Sequence, residues 1–243
     1  GTFVAVGYNH TLTKNTRMAS ELVKNGLIGR PLTISARFRE HWGGVFGAHP
    51  WLRGPEDSYL GFYDMGGGAS GEHSHAINIW QHFAHLLHMG RIVEVSAMLD
   101  IVDDGKVKYD RICQLNVRTE EGFIGSIVQD VITEPAQKYL RIQGSSGFLE
   151  WYVNYDKDND ALLYGDCKSG VRQELIPKKR PDDFIGEIDH IQDILEGKTD
   201  ESPISLERGL DTMMVIAAAH SSNKLGRTVR IDYDEGYNLN AIK

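Results

Sequence analysis

The sequence of 243 residues lacks the features that mark membrane, secreted and nucleic-acid-binding proteins. No window approaches the roughly 20 consecutive apolar residues that cross a bilayer, and the first residues do not form a charged and then apolar signal segment. Lys and Arg number only 26 against 34 Asp and Glu, for a net charge of -8, whereas nucleic-acid binding requires a clustered surplus of cations. The composition therefore predicts a soluble, cytoplasmic protein with no membrane or nucleic-acid partner.

Cysteine is scarce, and its placement excludes two classes of small fold. Cys113 and Cys167 have no spacing to each other or to histidine that is typical of a disulfide framework or a zinc ribbon. Hydrophobic residues make up 41% of the chain, which is enough for a packed core. The length is near the upper end for a single domain, and the sequence shows no internal repeat or linker.

Two kinds of site are also missing from the sequence. The glycines between positions 66 and 71 do not follow a predicted strand, and no acidic residue stands at the distance expected of a dinucleotide-binding fingerprint. Ser70 lies in "GASGE", which lacks the G-x-S-x-G pattern of a hydrolase nucleophile. The sequence therefore predicts neither a nucleotide-binding loop nor a serine hydrolase.

The periodicity of apolar residues predicts both helices and strands. Helices are predicted over 13 to 25, 72 to 88, 183 to 196 and 205 to 225. Strands are predicted at the start of the chain and over 30 to 42, 91 to 101, 107 to 119, 122 to 132, 138 to 144, 147 to 154, 160 to 164, 171 to 176 and 227 to 233. The segment from 43 to 68 has no sustained period and is predicted to be a long loop.

Short turns such as "DDGK", "EEG" and "SSG" between the predicted strands are typical of antiparallel hairpins. We therefore predict an α+β fold with a large, open, predominantly antiparallel sheet, arranged as one meander with helices on one face. The other face of so broad a sheet has to be covered. Contact with further copies, in a homodimer or homotetramer, accounts for that cover.

The stretch "GGGASGEHSHAIN", residues 66 to 78, combines glycines, a carboxylate and histidines in front of an apolar helix. On one helix with about 100° per residue, Glu72, His75 and Asn78 can converge on one pocket, whereas His73 points away. A histidine beside a carboxylate suits proton transfer near neutral pH. The stretch thus predicts Glu72 and His75 as an acid-base pair, the alternative being a tight turn whose polar residues face water.

A metal site is the competing interpretation of the same helix. His82, His85 and His88 recur at every third position. That spacing spreads the three side chains through about 120°, and no nearby carboxylate or cysteine completes a ligand set. We therefore predict no metal, and a metal-dependent hydrolase remains an alternative function.

Several segments, each weak alone, together resemble the Gfo/Idh/MocA oxidoreductases, a family named after glucose-fructose oxidoreductase and inositol dehydrogenase. They are, in chain order, "VGYNH", "NGLIGRPLTISARF", "WLRGPE" leading to "GGGA", "HAIN", "IGEIDHIQDILEGK" and "GLDTMMVIAAAHSSNKLGRTVRI". Their order and spacing are specific. The resemblance covers essentially the whole chain, as the C-terminal part of that family.

The resemblance implies a two-domain enzyme that acts on hydroxyl or carbonyl groups of sugars, cyclitols or their derivatives. Its N-terminal Rossmann domain binds NAD or NADP, and its C-terminal α+β domain carries the substrate site and the dimer contact. Residues 1 to 243 are then the substrate-binding and dimerisation domain, with residues 1 to 7 as the last strand of the absent domain. Because the family's lysine, in a Glu-Lys-Pro motif, is also absent, this chain alone is expected to be inactive.

The resemblance also implies roles for individual residues. His75 exchanges a proton with the substrate hydroxyl, and Asn78 matches the end of the family's signature. Glu72 takes the place of the family's aspartate, although it stands one residue closer to the histidine. The cofactor contacts are assigned to Tyr8 and Asn9. The predicted substrate contacts are Asn9, His10, Arg37, His41, Trp51, Asp64 and Asn78.

The displaced carboxylate supports a second interpretation from another class. In that interpretation the chain is a non-catalytic ligand-binding or scaffold module that keeps the sheet and has lost the chemistry. The upstream sequence discriminates the two, because a glycine-rich nucleotide loop followed by Glu-Lys-Pro belongs to the enzyme.

Overall fold

Six helices and nine strands make up the computed structural model, which describes residues 2–166 and 168–243. The helices are α1 (Lys14–Lys24), α2 (Trp42–Gly47), α3 (Gly68–Glu72), α4 (His75–Leu86), α5 (Asp182–Leu195) and α6 (Leu206–Leu225). The strands are β1 (Pro31–Arg39), β2 (Ile92–Asp103), β3 (Lys108–Thr119), β4 (Ile124–Asp130), β5 (Gln137–Gly144), β6 (Phe148–Val153), β7 (Asn159–Asp166), β8 (Gly170–Pro177) and β9 (Val229–Arg230). None of the helices in these described ranges is long and apolar enough to cross a membrane.

The strands form one open sheet in the order β8-β7-β6-β5-β1-β4-β3-β2-β9. Neighbouring strands pair antiparallel except β1 and β4, which run parallel. The predicted α+β class and predominantly antiparallel sheet are confirmed. The predicted single meander is wrong, because β1 is inserted between β4 and β5 and so divides the later strands into two antiparallel groups.

The helices cover one face of this sheet and enclose the core there. Helix α6 packs on β2, α4 on β1 and β4, and α1 on β6 and β7. Side chains alternate between the faces of a strand, so Phe38 and Trp151 are buried against the helices while Arg37 is exposed on the open face. Cys113 is buried in the core, and Cys167 lies outside the described residues.

Three segments depart from the predicted elements. The predicted loop over 43 to 68 is wrong at its start, because helix α2 (Trp42–Gly47) occupies the end of the predicted strand and the beginning of that loop. The predicted helix over 72 to 88 is two helices, because α3 ends at Glu72 and α4 begins at His75. The described part of the predicted first strand makes a single antiparallel bridge, between Ala5 and Ser205. Residue 1 lies outside the described residues, and the assignment of residues 1 to 7 to another domain stays a prediction.

Helix α4 lies so close to the sheet that one strand position has to be glycine. Gly125 of β4 pairs with Ile34 of β1, and Trp80 of α4 donates its indole N–H to the Ile34 carbonyl oxygen at 3.0 Å. A Cβ at position 125 would lie 2.2 Å from that oxygen and 2.7 Å from Trp80 Nε1. The close contact between helix and sheet therefore depends on the missing side chain.

Replacing Gly125 by alanine is expected to destabilise the protein by about 1–3 kcal/mol, because the added methyl overpacks a rigid contact. The matched control is Gly47→Ala, since a Cβ at that helical position meets nothing within 4 Å and alanine favours helix by up to about 1 kcal/mol. Urea unfolding of both variants measures the difference. Equal stability of the two would show that α4 does not rest on β4 as described.

Candidate active site

The candidate site forms where the segment before α1 meets the N-terminus of α4. His75, the first residue of α4, contacts two rings from that segment: the ring centroids lie 4.8 Å apart for His10 and 5.3 Å apart for Tyr8. Both contacts are edge-to-face, which is a favoured geometry for aromatic pairs. The His75 ring thus points into the protein towards the first residues of the chain.

His10 is held in place by both its backbone and its ring. Its carbonyl oxygen accepts hydrogen bonds from the hydroxyls of Thr13, at 2.9 Å, and Thr16, at 2.6 Å. The Thr16 hydroxyl also accepts the indole N–H of Trp151 at 2.9 Å. The His10 ring packs on Phe38 at 5.5 Å between centroids. The start of α1 and two central strands therefore fix the surface against which His75 rests.

Burial keeps the histidines of this site neutral. Loss of solvent lowers the pKa of His75 from 6.5 to about 3, that of His73 to about 4, and that of His10 well below its ordinary value. The positive charge of Lys138 acts in the same direction on all three pKa values. At pH 7 the rings are therefore uncharged, and each has a lone pair that can accept a proton.

Several polar atoms around these rings are buried without a hydrogen-bond partner in the described part of the chain. They are His10 Nδ1, His73 Nε2, His75 Nδ1 and Asn78 Oδ1. An unpaired buried polar atom costs about 1–3 kcal/mol, so native proteins leave few of them. Unpaired atoms on neighbouring residues around the start of α4 indicate a place where a bound molecule or water completes the bonding.

Charged side chains complete the lining. Glu72, at the end of α3, accepts a hydrogen bond from the hydroxyl of Tyr59 at 3.4 Å, and burial raises its pKa. Glu40, just after β1, forms an ion pair with Lys138 of β5, with 3.1 Å between Oε2 and Nζ. Both members of this pair influence the pKa of Glu72, so they lie beside it. The site therefore combines neutral bases with a half-buried carboxyl group and a compensated charge pair.

Asn78 lies one turn further along α4 and faces α6. Its amide donates to the hydroxyl of Thr212 at 3.3 Å, and Gln81 donates to the same hydroxyl at 3.1 Å. The Tyr8 hydroxyl lies 3.3 Å from Ser74 Oγ, to which it donates. These hydrogen bonds connect α4 to α6 and to the first residues of the chain, so they fix the position of the helix that carries His75.

A buried carboxylate on β3 anchors helix α3 and thereby Glu72. Asp110, fully buried, accepts from the Ser70 N–H at 2.7 Å and from its hydroxyl at 2.9 Å. Nε2 of His220 lies 3.0 Å from the same hydroxyl. Gly68, with φ of +82°, has no side chain where a Cβ would come 2.2 Å from Asp110 Oδ1. The glycines are therefore needed for this anchoring, which a surface turn does not require.

Among the predicted site residues, five lie at the site and one lies beside it. The five are Tyr8, His10, Glu72, His75 and Asn78. Asn9 is buried next to His10, but its side chain donates to Asp183 of α5 at 3.3 Å. The predicted contact of Tyr8 and Asn9 with a cofactor stays a prediction.

The other predicted substrate contacts are not brought to His75. Arg37 lies on the open face of the sheet, near the ring of Tyr139. His41 is exposed and accepts the N–H of Gly43, so it caps α2. Trp51 is 71% exposed, and Asp64 is exposed on a 3-10 turn. Successive side chains of a strand point to opposite faces of the sheet. Because Phe38 faces the helices, the neighbouring Arg37 faces the other way, away from the site.

The same alternation identifies residues that the sequence reasoning missed. Glu40 is two residues beyond Phe38 and therefore faces the helices, and Lys138 pairs with Phe38 in register. The apolar series Ile34, Ala36 and Phe38 was the signal that this is the buried face. His73 was predicted to point away, but the break between α3 and α4 places it close enough to Lys138 for that charge to lower its pKa.

The histidines considered for a metal site have separate partners. Nε2 of His82 lies 3.3 Å from the Ser20 hydroxyl, and Nε2 of His85 lies 3.9 Å from a carboxylate oxygen of Asp211. His88 adopts a positive φ of 59° at the end of the helix. Within residues 2–166 and 168–243, no group of three or more histidine, cysteine or acidic side chains is arranged to hold a metal ion.

Comparison with known proteins identifies the family and the fold. The profile of the GFO/IDH/MocA C-terminal domain matches residues 16–150. No curated protein sequence matches significantly. Solved structures do resemble the chain, and their sequence identities of 20% or less establish the fold alone.

Three solved structures illustrate this similarity. An oxidoreductase from Agrobacterium radiobacter in complex with NAD+, L-tartaric acid and magnesium is 20% identical, with a TM-score of 0.70 over 94% of this chain and 65% of that one. A levoglucosan dehydrogenase in complex with NADH and levoglucosan is 20% identical, with a TM-score of 0.74 over 93% and 65%. An aldose-aldose oxidoreductase from Caulobacter crescentus, complexed with glycerol, is 20% identical, with a TM-score of 0.72 over 95% and 64%. The chain therefore spans slightly less than two thirds of these proteins.

The anchoring carboxyl group makes stability depend on pH in a testable way. Burial raises the pKa of Asp110 from 3.8 to about 7. The native state thus holds this proton more tightly than the unfolded chain, so the stability it contributes below pH 3.8 is lost as the pH rises through 7. We expect the wild type to lose more unfolding free energy than Asp110→Asn between pH 5 and pH 8.

Urea unfolding at several pH values measures this difference. Asp104→Asn is the control, because Asp104 is exposed and hydrogen bonds to the backbone lower its pKa. That substitution is expected to shift the stability equally at pH 5 and pH 8. A constant difference between wild type and Asp110→Asn over this range would contradict the account of Asp110.

Proposed function

We propose that this chain, which belongs to the GFO/IDH/MocA oxidoreductase family, is the substrate-binding and oligomerisation domain of an NAD(P)-dependent enzyme. The enzyme interconverts a hydroxyl and a carbonyl group on a sugar, cyclitol or sugar derivative. The observation that carries the proposal is the His75 ring, which is neutral, lies against His10 and Tyr8, and is surrounded by unpaired polar atoms. The similar proteins solved with NADH and levoglucosan, or with glycerol, support the cofactor and substrate classes.

The described residues of this chain fit only the nicotinamide end of such a cofactor, where the hydride is transferred. Among the described residues, no G-x-G-x-x-G stretch follows a strand to hold the phosphates. The residues that would contact the nicotinamide are those before α1, Tyr8 and Asn9. When bound, the cofactor supplies the acceptor or donor of a hydride. Residues 1–243 without a nucleotide-binding domain are accordingly proposed to be inactive.

In the oxidising direction His75 acts as the base. Its Nδ1 is buried, so Nε2 is the nitrogen that a substrate hydroxyl can reach. As the hydride leaves the carbon, the O–H bond breaks, its proton moves to Nε2, and the C–O bond becomes a carbonyl. In reduction, the proton returns from the imidazolium to the alkoxide oxygen. General acid-base catalysis of this kind contributes roughly 10²–10⁴-fold to the rate.

The burial of His75 affects this role in two opposite ways. It keeps the ring unprotonated at neutral pH, so that Nε2 is free to accept a proton, but it also lowers the basicity of the ring below the value near the working pH that suits a general base best. Glu72, whose pKa burial raises, supplies a second group near the substrate that can hold or pass on a proton. We keep Glu72 and His75 as the proposed acid-base pair, and the two residues lie on separate helices, α3 and α4, instead of one.

The open face of the sheet supports the proposed homodimer or homotetramer. Met98 of β2 is 78% exposed and Ile124 of β4 is 51% exposed, and both lie on the face opposite the helices. Exposed apolar side chains on a broad sheet are typical of contacts between subunits. A second copy on this face leaves the candidate site free, because His75 lies on the other face.

The alternative of a non-catalytic module is favoured by one observation, the separation of Glu72 and His75 by the helix break. A screen of the full-length protein with NAD+ or NADP+ against aldoses and cyclitols distinguishes the two functions. The proposal predicts NAD(P)H formation with at least one of these compounds. Polyol binding without any turnover would favour the module.

The role of His75 itself is tested by His75→Asn, which keeps a polar side chain and removes the base. We expect kcat to fall by about 10²–10⁴-fold with a much smaller change in KM, because the proton acceptor acts in the transition state. The matched control is His88→Asn, an exposed position with positive φ that asparagine tolerates. Unchanged kcat in His75→Asn would exclude His75 as the base.

A further inference from the structure

The ion pair between Glu40 and Lys138 has the geometry of a recognition element. Side chains at paired positions share a face of the sheet, and Lys138 pairs with Phe38, which is buried under the helices. Glu40 follows two residues after Phe38 and faces the same way. Lys138 Nζ and Glu40 Oε2 lie 3.1 Å apart, and the two side chains stay 21% and 25% exposed. The pair is thus enclosed but open on one side.

That open side borders the candidate site, because Lys138 pairs in register with Phe38, on which the ring of His10 packs with 5.5 Å between centroids. In keeping with this position, the positive charge of Lys138 acts on the pKa values of His10, His73 and His75 and of Glu72. Two of these residues, His10 and His73, are more than nine-tenths buried and have a ring nitrogen without a partner in the described part of the chain. A ligand in contact with His75 therefore comes within reach of the ion pair.

The carboxylate of Glu40 is given space by a glycine. A Cβ at position 44 would lie 2.9 Å from Glu40 Oε1 and 3.4 Å from its Cγ. Oε1 is not the oxygen that binds Lys138. A larger residue at 44 would crowd the one carboxylate oxygen that remains free to accept a hydrogen bond from a ligand.

The pair offers a donor and an acceptor side by side. An ammonium group has three N–H donors and a carboxylate has two acceptor oxygens, so both groups keep bonding capacity after pairing with each other. Neighbouring hydroxyls of a sugar or cyclitol can each donate and accept, and they are separated by a similar distance. The two opposite charges cancel, which removes the attraction that a carboxylate or phosphate group on a ligand needs.

We propose that Glu40 and Lys138 together bind two neighbouring hydroxyl groups of the substrate, beside the hydroxyl that reacts at His75. The pair selects neutral polyhydroxy compounds over their deoxy and acidic analogues. This inference rests on the proposed function, because it assigns the substrate class of the same site. Neither residue contacts the reacting oxygen, so the pair determines specificity and not the chemical step.

The test uses the full-length protein and the best substrate from a panel of aldoses and cyclitols, together with its monodeoxy analogues and its carboxylate analogue. The wild type is expected to prefer the parent compound over at least one monodeoxy analogue by tenfold or more in kcat/KM. In Glu40→Gln and in Lys138→Met, KM for the parent compound is expected to rise about tenfold, with kcat within about threefold and the preference reduced towards one.

The control is a matched ion pair on the open face of the sheet. Arg141 of β5 pairs with Glu150 of β6 there, and Arg141→Met is expected to leave KM and the preference unchanged. If the two site variants fail to fold, the proposal is still tested by the preference of the wild type among the parent, monodeoxy and carboxylate compounds. Equal use of parent and every deoxy analogue, or a preference for the carboxylate compound, would overturn the proposal.

Saturation-transfer NMR with the same panel, without cofactor, separates this inference from the proposed function. If Glu40→Gln and Lys138→Met turn over the substrate and keep the wild-type preference for the parent compound over its deoxy analogues, only the role of the ion pair is overturned. If the wild type binds the polyols, both variants lose this binding, and no protein shows turnover, the oxidoreductase function is overturned and the recognition role is supported. Neither binding nor turnover contradicts both.

Discussion

The site depends on the burial of one imidazole, that of His75, between two rings that come from the start of the chain. The residue is half-buried, with its Nδ1 closed off from solvent, and this loss of solvent makes the charged form of the ring unfavourable, so His75 stays neutral. The same burial leaves ring nitrogens unpaired, which a folded protein tolerates only where another molecule completes the bonding. The unpaired ring nitrogens thus lower the stability of the fold at the place where proton transfer is proposed.

The sheet places the partners of this imidazole through its alternation of side chains. Phe38 faces the helices and supports His10, and the same face carries Lys138 and, just past the strand end, Glu40. The opposite face receives Arg37 and the exposed apolar residues of the proposed subunit contact. The two faces of β1 therefore carry the proposed catalytic side of the domain and its proposed subunit contact.

Local signals in the sequence predicted much of the fold. Helix α6 ends at Gly226, which has the left-handed conformation that glycine favours at helix ends, and the hairpin turns marked the strand ends. The insertion of β1 between β4 and β5 was not predictable in this way, because its partners lie about ninety residues or more away in the chain. The break before His75 was missed as well, since no proline or glycine marks Ser74.

At the site, residue types predicted His75, and the resemblance to a family added His10. Which of the other polar residues face the site could be learned only from the three-dimensional structure. Arg37 has suitable chemistry for a sugar and faces away from the site, whereas Glu40 and Lys138, which were not predicted as site residues, face the helices. The polar residues of a strand can be sorted only when the buried face is known. Here the apolar series that ends at Phe38 carried that information.

The protonation of His75 is the most direct test of this account. Long-range ¹⁵N–¹H NMR spectra of the histidine rings, with His75 assigned by its loss in His75→Asn, follow its charge state between pH 8 and pH 5. The half-buried ring is predicted to stay neutral throughout, with no change in its nitrogen shifts. A titration midpoint near 6.5, the ordinary pKa of histidine, would show a solvated ring and contradict the central claim.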